Sequence, residues 1–265
     1  MADNPLLRAR TAALDSDSPQ ERNRRWWEQL PMTYERWEHA DRATTRARAI
    51  DMFLSSNPWL GRDRFARFTG KRVLEIGCGA GPAACLFAED GALVTAIDLT
   101  ETAVDLTRRH TTGLDVTVER MDAERMSFAD ASFDHVFSWG VLHHSAEPAR
   151  TFAEVARVLR PGGTALIMVY NRASARYWIK GAITLLLRGR LFRGDSFASV
   201  QRFFTDGYFH HHFTPREFAR ALAPMRVERI SLTHMSGRML PLLPRAIDEW
   251  CKRRWGWLLI AEARR

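Results

Sequence analysis

Between Val73 and Pro82 the chain reads Val-Leu-Glu-Ile-Gly-Cys-Gly-Ala-Gly-Pro, an apolar run that breaks into three alternating glycines and then a proline. Glycine lets a backbone turn sharply and lets a ligand lie directly against it. Proline, with its fixed φ, suits a first helical position, so the segment predicts strand, tight turn and helix. Downstream the alternation continues: KRVLEIG, ALVTAIDL, DVTVERMDA, FDHVFSWG and TALIMVY read as five strands within about 100 residues. Between them lie helical patterns over PAACLFAEDG, from Thr100 to about His110, and from about Glu147 to Leu159, the last stopped by Pro161-Gly162-Gly163. Strands alternating with helices in this way predict an α/β fold around a parallel sheet.

The flanks divide the chain further. Ser18-Pro19-Gln20-Glu21 is a capping box with proline at the first helical position, and it predicts a helix carrying Trp26 and Trp27. Thr214-Pro215-Arg216-Glu217 repeats the device and starts a helix through Leu222, after which MRVERISLT and GWLLIAEAR read as two late strands. The expected division is a helical lid over 1–70, a core over 71–170, a substrate-lid insertion over 171–213 and a completion of the core sheet over 214–265. Within the insertion, Trp178, Ala182, Leu185 and Leu186 are expected on one helical face, with Lys180, Thr184 and Arg188 on another. That pattern predicts a lid packed on the core, with interfacial attachment to a bilayer as the alternative. The run from Phe203 to Phe209 and His210 to His212 is expected to close the acceptor pocket.

With 265 residues, 46% of them hydrophobic and 26% charged, the chain has material for one large domain and a modest appendage, which excludes global disorder. No apolar run approaches the roughly 20 residues of a membrane span, and the first residues lack the apolar core of a secretory signal, so a cytoplasmic location is expected. Cys78, Cys85 and Cys251 form no C-x-x-C pair and read as free thiols. The net charge of +8 is uneven: residues 71–170 carry −5 and residues 171–265 carry +11. Only three of the 39 basic residues are lysine, an arginine bias that argues for coding composition over nucleic-acid binding.

The glycine loop narrows the ligand. A dinucleotide fingerprint starting at Gly77 needs glycine at position 82, where Pro82 stands. Glu75 ends the strand before the loop, and Asp98 ends the next strand, where a carboxylate can accept from both hydroxyls of a ribose. A pyrophosphate is poorly served beside Glu75, whereas a cationic ligand is well served. His143-His144 and His210-His211-His212 are neighbours in sequence and point in different directions, so no metal site is expected.

As a series, VLEIGCGAGP, IDLT, MDAE, FDHVFSWGVLHH and EVARVLRPGG resembles the motifs of class I S-adenosylmethionine (SAM) dependent methyltransferases, over residues 71–170 and in order. The resemblance implies a Rossmann-like seven-stranded, mostly parallel sheet with helices on both faces, the last strand antiparallel. It implies SAM as cofactor, with Glu75, Gly77, Cys78, Gly79 and Gly81 around the methionine end. Asp98 and Leu99 would sit at the ribose, Asp122 and Ala123 at the adenine, Ser138 and Trp139 after the fourth strand, and Tyr34 on the lid.

The segment after the fourth strand, Ser138 to His144, lacks the N/D-P-P-Y/F loop of amino-group methylases of DNA, and no cysteine is placed for C5-pyrimidine chemistry. The Val-Leu-His-His form resembles methyltransferases of small molecules such as quinone precursors, sterols and bacterial natural products. The expected function is methyl transfer to an O or N nucleophile of a small molecule in secondary metabolism. An RNA or lipid/quinone-precursor methyltransferase and a SAM-binding pseudoenzyme are the alternatives. His143, His144 and Tyr170 are the candidate catalytic residues, since imidazole takes up a proton near neutrality. His143, Arg172, Arg176 and His211 are the candidate acceptor contacts, and the arginines predict an anionic acceptor. Peripheral membrane contact and a homodimer remain open.

Overall fold

In a computed structural model, residues 18–29, 42–187, 194, 209–235, 239–240 and 242–265 are described. A seven-stranded sheet forms the centre: β1 (Arg72–Ile76), β2 (Leu93–Asp98), β3 (Val116–Arg120), β4 (Phe133–Trp139), β5 (Leu159–Tyr170), β6 (Arg226–Thr233) and β7 (Leu258–Arg264). Their order across the sheet is β3-β2-β1-β4-β5-β7-β6. The first five strands are parallel, and β7 runs antiparallel between β5 and β6.

Among the described residues the helices are α1 (Pro19–Gln29), α2 (Arg42–Ser56), α3 (Pro82–Glu89), α4 (Glu101–His110), α5 (Pro148–Val158), α6 (Ala175–Leu187), α7 (Pro215–Ala221) and α8 (Arg245–Trp255). Thr100 caps α4 by accepting from Ala103 N, and Thr214 with Glu217 completes a reciprocal capping box on α7. The two-residue period of a strand sends successive side chains to opposite faces. Val73 therefore joins a core with Phe65, Ala84 and Phe87, while Leu74 joins a second core with Phe152, Val155 and Phe218. Covered on both faces, β1 is buried from Val73 to Ile76, as a central parallel strand must be.

β5 departs from the sequence reading. It begins at Leu159 and takes in the Pro161-Gly162-Gly163 segment read as the stop between the preceding helix and the strand. At Gly163 an added Cβ would stand 2.9 Å from Arg160 O and 3.2 Å from Asp134 O, so the small residue lets the strand start pass close to β4. The insertion leaves the sheet after Tyr170 and returns beside it: Asn171 bridges Phe213, Arg172 N donates to Phe213 O at 3.0 Å, and Phe213 N donates to Tyr170 O at 3.1 Å. Its helix α6 buries Tyr177 completely, whereas Trp178 and Leu186 are 59% and 63% exposed. Of the face expected to pack, Trp178 and Leu186 thus point outward while Ala182 and Leu185 are half-buried, and Tyr177 holds α6 to the core by hydrogen bonds with Trp257 and His212. The run 203–208 lies outside the described residues.

Candidate functional site

The parallel strands β1 to β5 all end at one edge of the sheet, and a cleft of about 390 Å³ opens there. Its first part is built by the loop after β1. Gly77, Gly79 and Gly81 have φ of 77°, 56° and 76°, values that side-chain-bearing residues rarely adopt. A Cβ at Gly77 would lie 2.2 Å from Val141 Cγ2, so the loop after β4 closes against bare backbone. Gly81 meets Thr107 in the same way and does not line the cleft; its part is to let α3 and α4 approach.

Three carboxyl groups face this part of the cleft. Asp98 Oδ2 accepts from Gly79 N at 3.1 Å, and its Oδ1 accepts from Thr100 N and Oγ1, which ties the end of β2 to the glycine loop. Burial pushes its pKa above the ordinary value. Glu75 is 4% exposed and its Oε2 has no hydrogen-bond partner. Burial, reinforced by the Asp98 charge, pushes its pKa well up. Asp122 accepts on Oδ1 from Gln20 Nε2 at 2.8 Å and from Glu124 N at 2.9 Å. Cys78, Leu99 and Ala123 complete the lining expected from the sequence.

The other part is apolar. Met52 and Phe53 of α2, Trp139, Met168, Tyr170 and Met235 line it, with Asn57 accepting from Trp139 Nε1 at 3.0 Å. Among the described residues no lysine or arginine lines the cleft.

The two histidines after β4 separate. Leu142–His144 is a 3-10 turn, whose successive side chains point about 120° apart. His144 therefore lines the cleft, while His143 is fully buried behind it, its ring centroid 4.0 Å from that of His144 and 4.2 Å from that of Tyr170. Neither ring nitrogen of His143 has a partner, and burial pushes its pKa well down. His143 is thus no acceptor contact in this geometry. His144 bonds through Nδ1 to Phe209 O at 2.8 Å, which places the proton on Nδ1 and the lone pair on Nε2. Burial lowers its pKa to about 4. Tyr170, at the end of β5, stacks on Trp257 with centroids 4.5 Å apart.

Three further expectations meet a different geometry. Ser138 is fully buried and donates to Ile76 O at 3.1 Å, joining β4 to β1 beneath the cleft. Arg172 pairs with Glu217 and lies outside the lining, as does His211, which donates its backbone N–H to His143 O. Arg176 lies on α6, but its side chain, like the whole of Tyr34, is outside the described residues. The sequence reading did not place Gln20, Asn23, Trp27, Met52, Phe53, Asn57, Met168 or Met235 at the site. Only the capping box Ser18-Pro19-Gln20-Glu21 hinted that α1 was a defined element; nothing local showed that it reaches the cleft.

Residues 74–167 match the family model of the methyltransferase domain. This segment is a methyltransferase domain. Its sheet order and the solved structures similar to it give it the class I, SAM-dependent methyltransferase fold. The SAM-dependent methyltransferase of Mesorhizobium loti is 23% identical, with a TM-score of 0.54, and covers 77% of this chain and 100% of that one. A chain from the complex of the Haloferax volcanii Trm112 methyltransferase activator with a methyltransferase is 18% identical, with a TM-score of 0.60 over 91% of this chain and 96% of that one. Among curated proteins, the ubiquinone biosynthesis O-methyltransferase of Aromatoleum aromaticum is 40% identical over 118 residues, 43% of this chain and 50% of the relative. That of Methylocella silvestris is 35% identical over 170 residues, 62% of this chain and 61% of the relative. The chain thus spans about half the length of the first of these curated relatives.

Proposed function

We propose that this chain transfers the methyl group of SAM to a hydroxyl oxygen of a neutral, largely apolar small molecule of the quinone-precursor type. The observation that carries this reading is the continuity of one cleft, which runs from the glycine loop, Asp98 and Asp122 to His144 and the wall of Phe53, Trp139 and Met168. The residues fit the cofactor. Glu75 offers a buried carboxylate oxygen without a partner to a cationic group, and the left-handed glycines leave a cradle that side chains would fill. Asp98 would hold the ribose hydroxyls, and Asp122, whose Oδ1 is already engaged by protein donors, would offer Oδ2 to the adenine amino group.

When bound, SAM supplies a methyl group already activated on a sulfonium. What remains for the chain is to align a nucleophile, exclude water and take up a proton. Phe53, Trp139, Met168 and Met235 would orient an apolar acceptor and keep water out. His144, neutral throughout the physiological range, would receive the hydroxyl proton at Nε2, while the Phe209 carbonyl holds the ring in the required tautomer. The names of the curated relatives support an oxygen acceptor and a quinone precursor over secondary metabolism. The absence of a basic side chain among the described lining residues supports a neutral acceptor over an anion.

The test combines binding and turnover. S-adenosylhomocysteine should bind in calorimetry, and Asp98→Ala should weaken it roughly 10- to 100-fold, since two charge-assisted hydrogen bonds are lost. Isotope-labelled SAM should then label apolar catechols and phenols but not total RNA. Binding without transfer to any hydroxyl acceptor would reduce the chain to a SAM-binding protein.

A further inference from the structure

Asn57 is a polar side chain in an apolar wall. It follows the last residue of α2, is 5% exposed, and lines the acceptor half of the cleft with Phe53 and Trp139. Burying a side-chain amide is costly unless both of its ends are bonded. One end is local: Nδ2 donates to Phe53 O at 2.9 Å, four residues back, as asparagine commonly does within its own segment. The other end reaches far, since Oδ1 accepts from Trp139 Nε1 at 3.0 Å across 82 positions of the chain. Closing the end of α2 accounts for the first bond and leaves the second unexplained.

The neighbours of Trp139 show what the second bond adds. The indole lies 4° from the plane of Phe137 and 29° from that of Trp59, with centroids 6.0 Å and 6.3 Å away. Arg64 stands 4.0 Å over the Trp59 ring and pairs with Glu262 of β7, which backs the stack from outside. Stacking sets the tilt of a ring but leaves it free to turn within its own plane. A hydrogen bond at the ring edge removes that freedom, and Nε1 is the one donor an indole has. Phe53 meets the same indole edge to face, at 77° and 6.5 Å. Because the Asn57 amide bonds the Phe53 carbonyl as well, one side chain ties together the two elements, α2 and the end of β4, that form this wall.

We propose that Asn57 is a positioning residue for the acceptor, which by bonding the Trp139 indole and the Phe53 carbonyl fixes the wall against which a flat, apolar acceptor ring lies. It acts through Trp139 and not on the reacting atoms. The inference rests on the reading of this half of the cleft as the acceptor seat.

The test is a double-mutant cycle, read by calorimetry as the affinity of 4-octylcatechol for the full chain saturated with S-adenosylhomocysteine. Trp139→Phe keeps an aromatic ring and removes the N–H; Asn57→Leu keeps the volume and removes its partner. Each single variant is expected to weaken 4-octylcatechol about fivefold, the worth of one buried hydrogen bond. In the Trp139→Phe background, Asn57→Leu should cost no more than about a further twofold, because the bond is already gone. If Asn57→Leu does not fold, Asn57→Ser, whose hydroxyl ends one bond short of the amide oxygen, takes its place in the cycle. Unchanged affinity in the Asn57 variant, or losses that simply multiply, would overturn the proposal. So would a loss of S-adenosylhomocysteine affinity as large as that of 4-octylcatechol, which marks general damage, or the absence of saturable 4-octylcatechol binding to the wild type. The expected coupling without methylation of 4-octylcatechol from SAM would leave the positioning role standing and remove the methyl-transfer reading. If S-adenosylhomocysteine does not bind the wild type, the cofactor reading falls and the same cycle on the free chain decides for or against Asn57.

Discussion

Gln20 donates through Nε2 to Asp122 Oδ1 at 2.8 Å, a contact that spans 102 positions of the chain and joins α1 to the end of β3. Because Glu124 N donates to the same oxygen, the carboxylate is held by one edge and its other oxygen is left for a ligand. Two more contacts pin α1: Asn23 Nδ2 donates to His144 O at 2.8 Å, and Glu28 accepts from Glu101 N at 2.7 Å. Gln20→Ala is therefore expected to weaken S-adenosylhomocysteine about fivefold, the equivalent of one hydrogen bond of about 1 kcal/mol. Calorimetry with unchanged affinity would leave α1 a merely covering role.

Glu75 is expected to make cofactor binding sensitive to pH. Its carboxyl is pushed well up in the free chain by burial and by Asp98, and a cationic ligand favours the ionised form. SAM affinity is thus expected to rise with pH as Glu75 loses its proton, with protons released on binding. Glu75→Gln should remove that release, measured by calorimetry in buffers of different ionisation enthalpy.

Replacement separates the two histidines. His144→Ala is expected to lower turnover about 100-fold while S-adenosylhomocysteine affinity changes little, as loss of a general base requires. His143→Leu should leave turnover within a few-fold, since that ring is fully buried and its nitrogens have no partner to lose. A large loss of turnover in His143→Leu with an intact fold would return that residue to the chemistry.

The buried histidines also set the acid limit of stability. Burial holds His135 down to about 3 and His144 to about 4, and pushes His143 well below the ordinary value. In the unfolded chain each protonates near pH 6.5. Their contribution to stability is therefore full above about pH 6.5 and is lost as pH falls towards 4, by about 1.4 kcal/mol per pH unit for each such group, offset in part by Glu75 and Asp98, whose raised pKa acts in the opposite direction. Denaturant titrations at about pH 7 and pH 5 should show this slope, and a flat profile would contradict it.

Gly77→Ala should abolish S-adenosylhomocysteine binding and lower the melting temperature. The residue has φ of 77°, and the new Cβ would stand 2.2 Å from Val141 Cγ2. Truncating Val141 as well relieves the clash but not the backbone strain, so the double variant Gly77→Ala/Val141→Ala should recover only part of the stability.

The sequence made legible what local chemistry writes. The glycine loop, the capping residues Thr100 and Thr214, and the apolar runs of the strands each carry their geometry within a few residues, and Glu75, Asp98 and Asp122 fall at strand ends as their spacing implied. The acceptor side was less legible because distant elements build it. Gln20, Met52 and Met235 reach one cleft from three parts of the chain, and no local pattern announces that meeting. His143 and His144 look equivalent in sequence, and only the turn they occupy tells them apart. Arg172 read as an anion contact until Glu217 came beside it.

The staple between Asn171 and Phe213 has an evolutionary consequence. Everything between these residues enters and leaves the sheet at one point, so its length and composition can change without moving the register of β5 and β7. Closing a longer loop costs little extra entropy, about 0.6 kcal/mol for each doubling of its length. Descendants of this chain can therefore exchange the segment that carries α6 as a cassette, acquiring new acceptors or new surfaces while the strand ends that carry Glu75 and Asp98 stay in place.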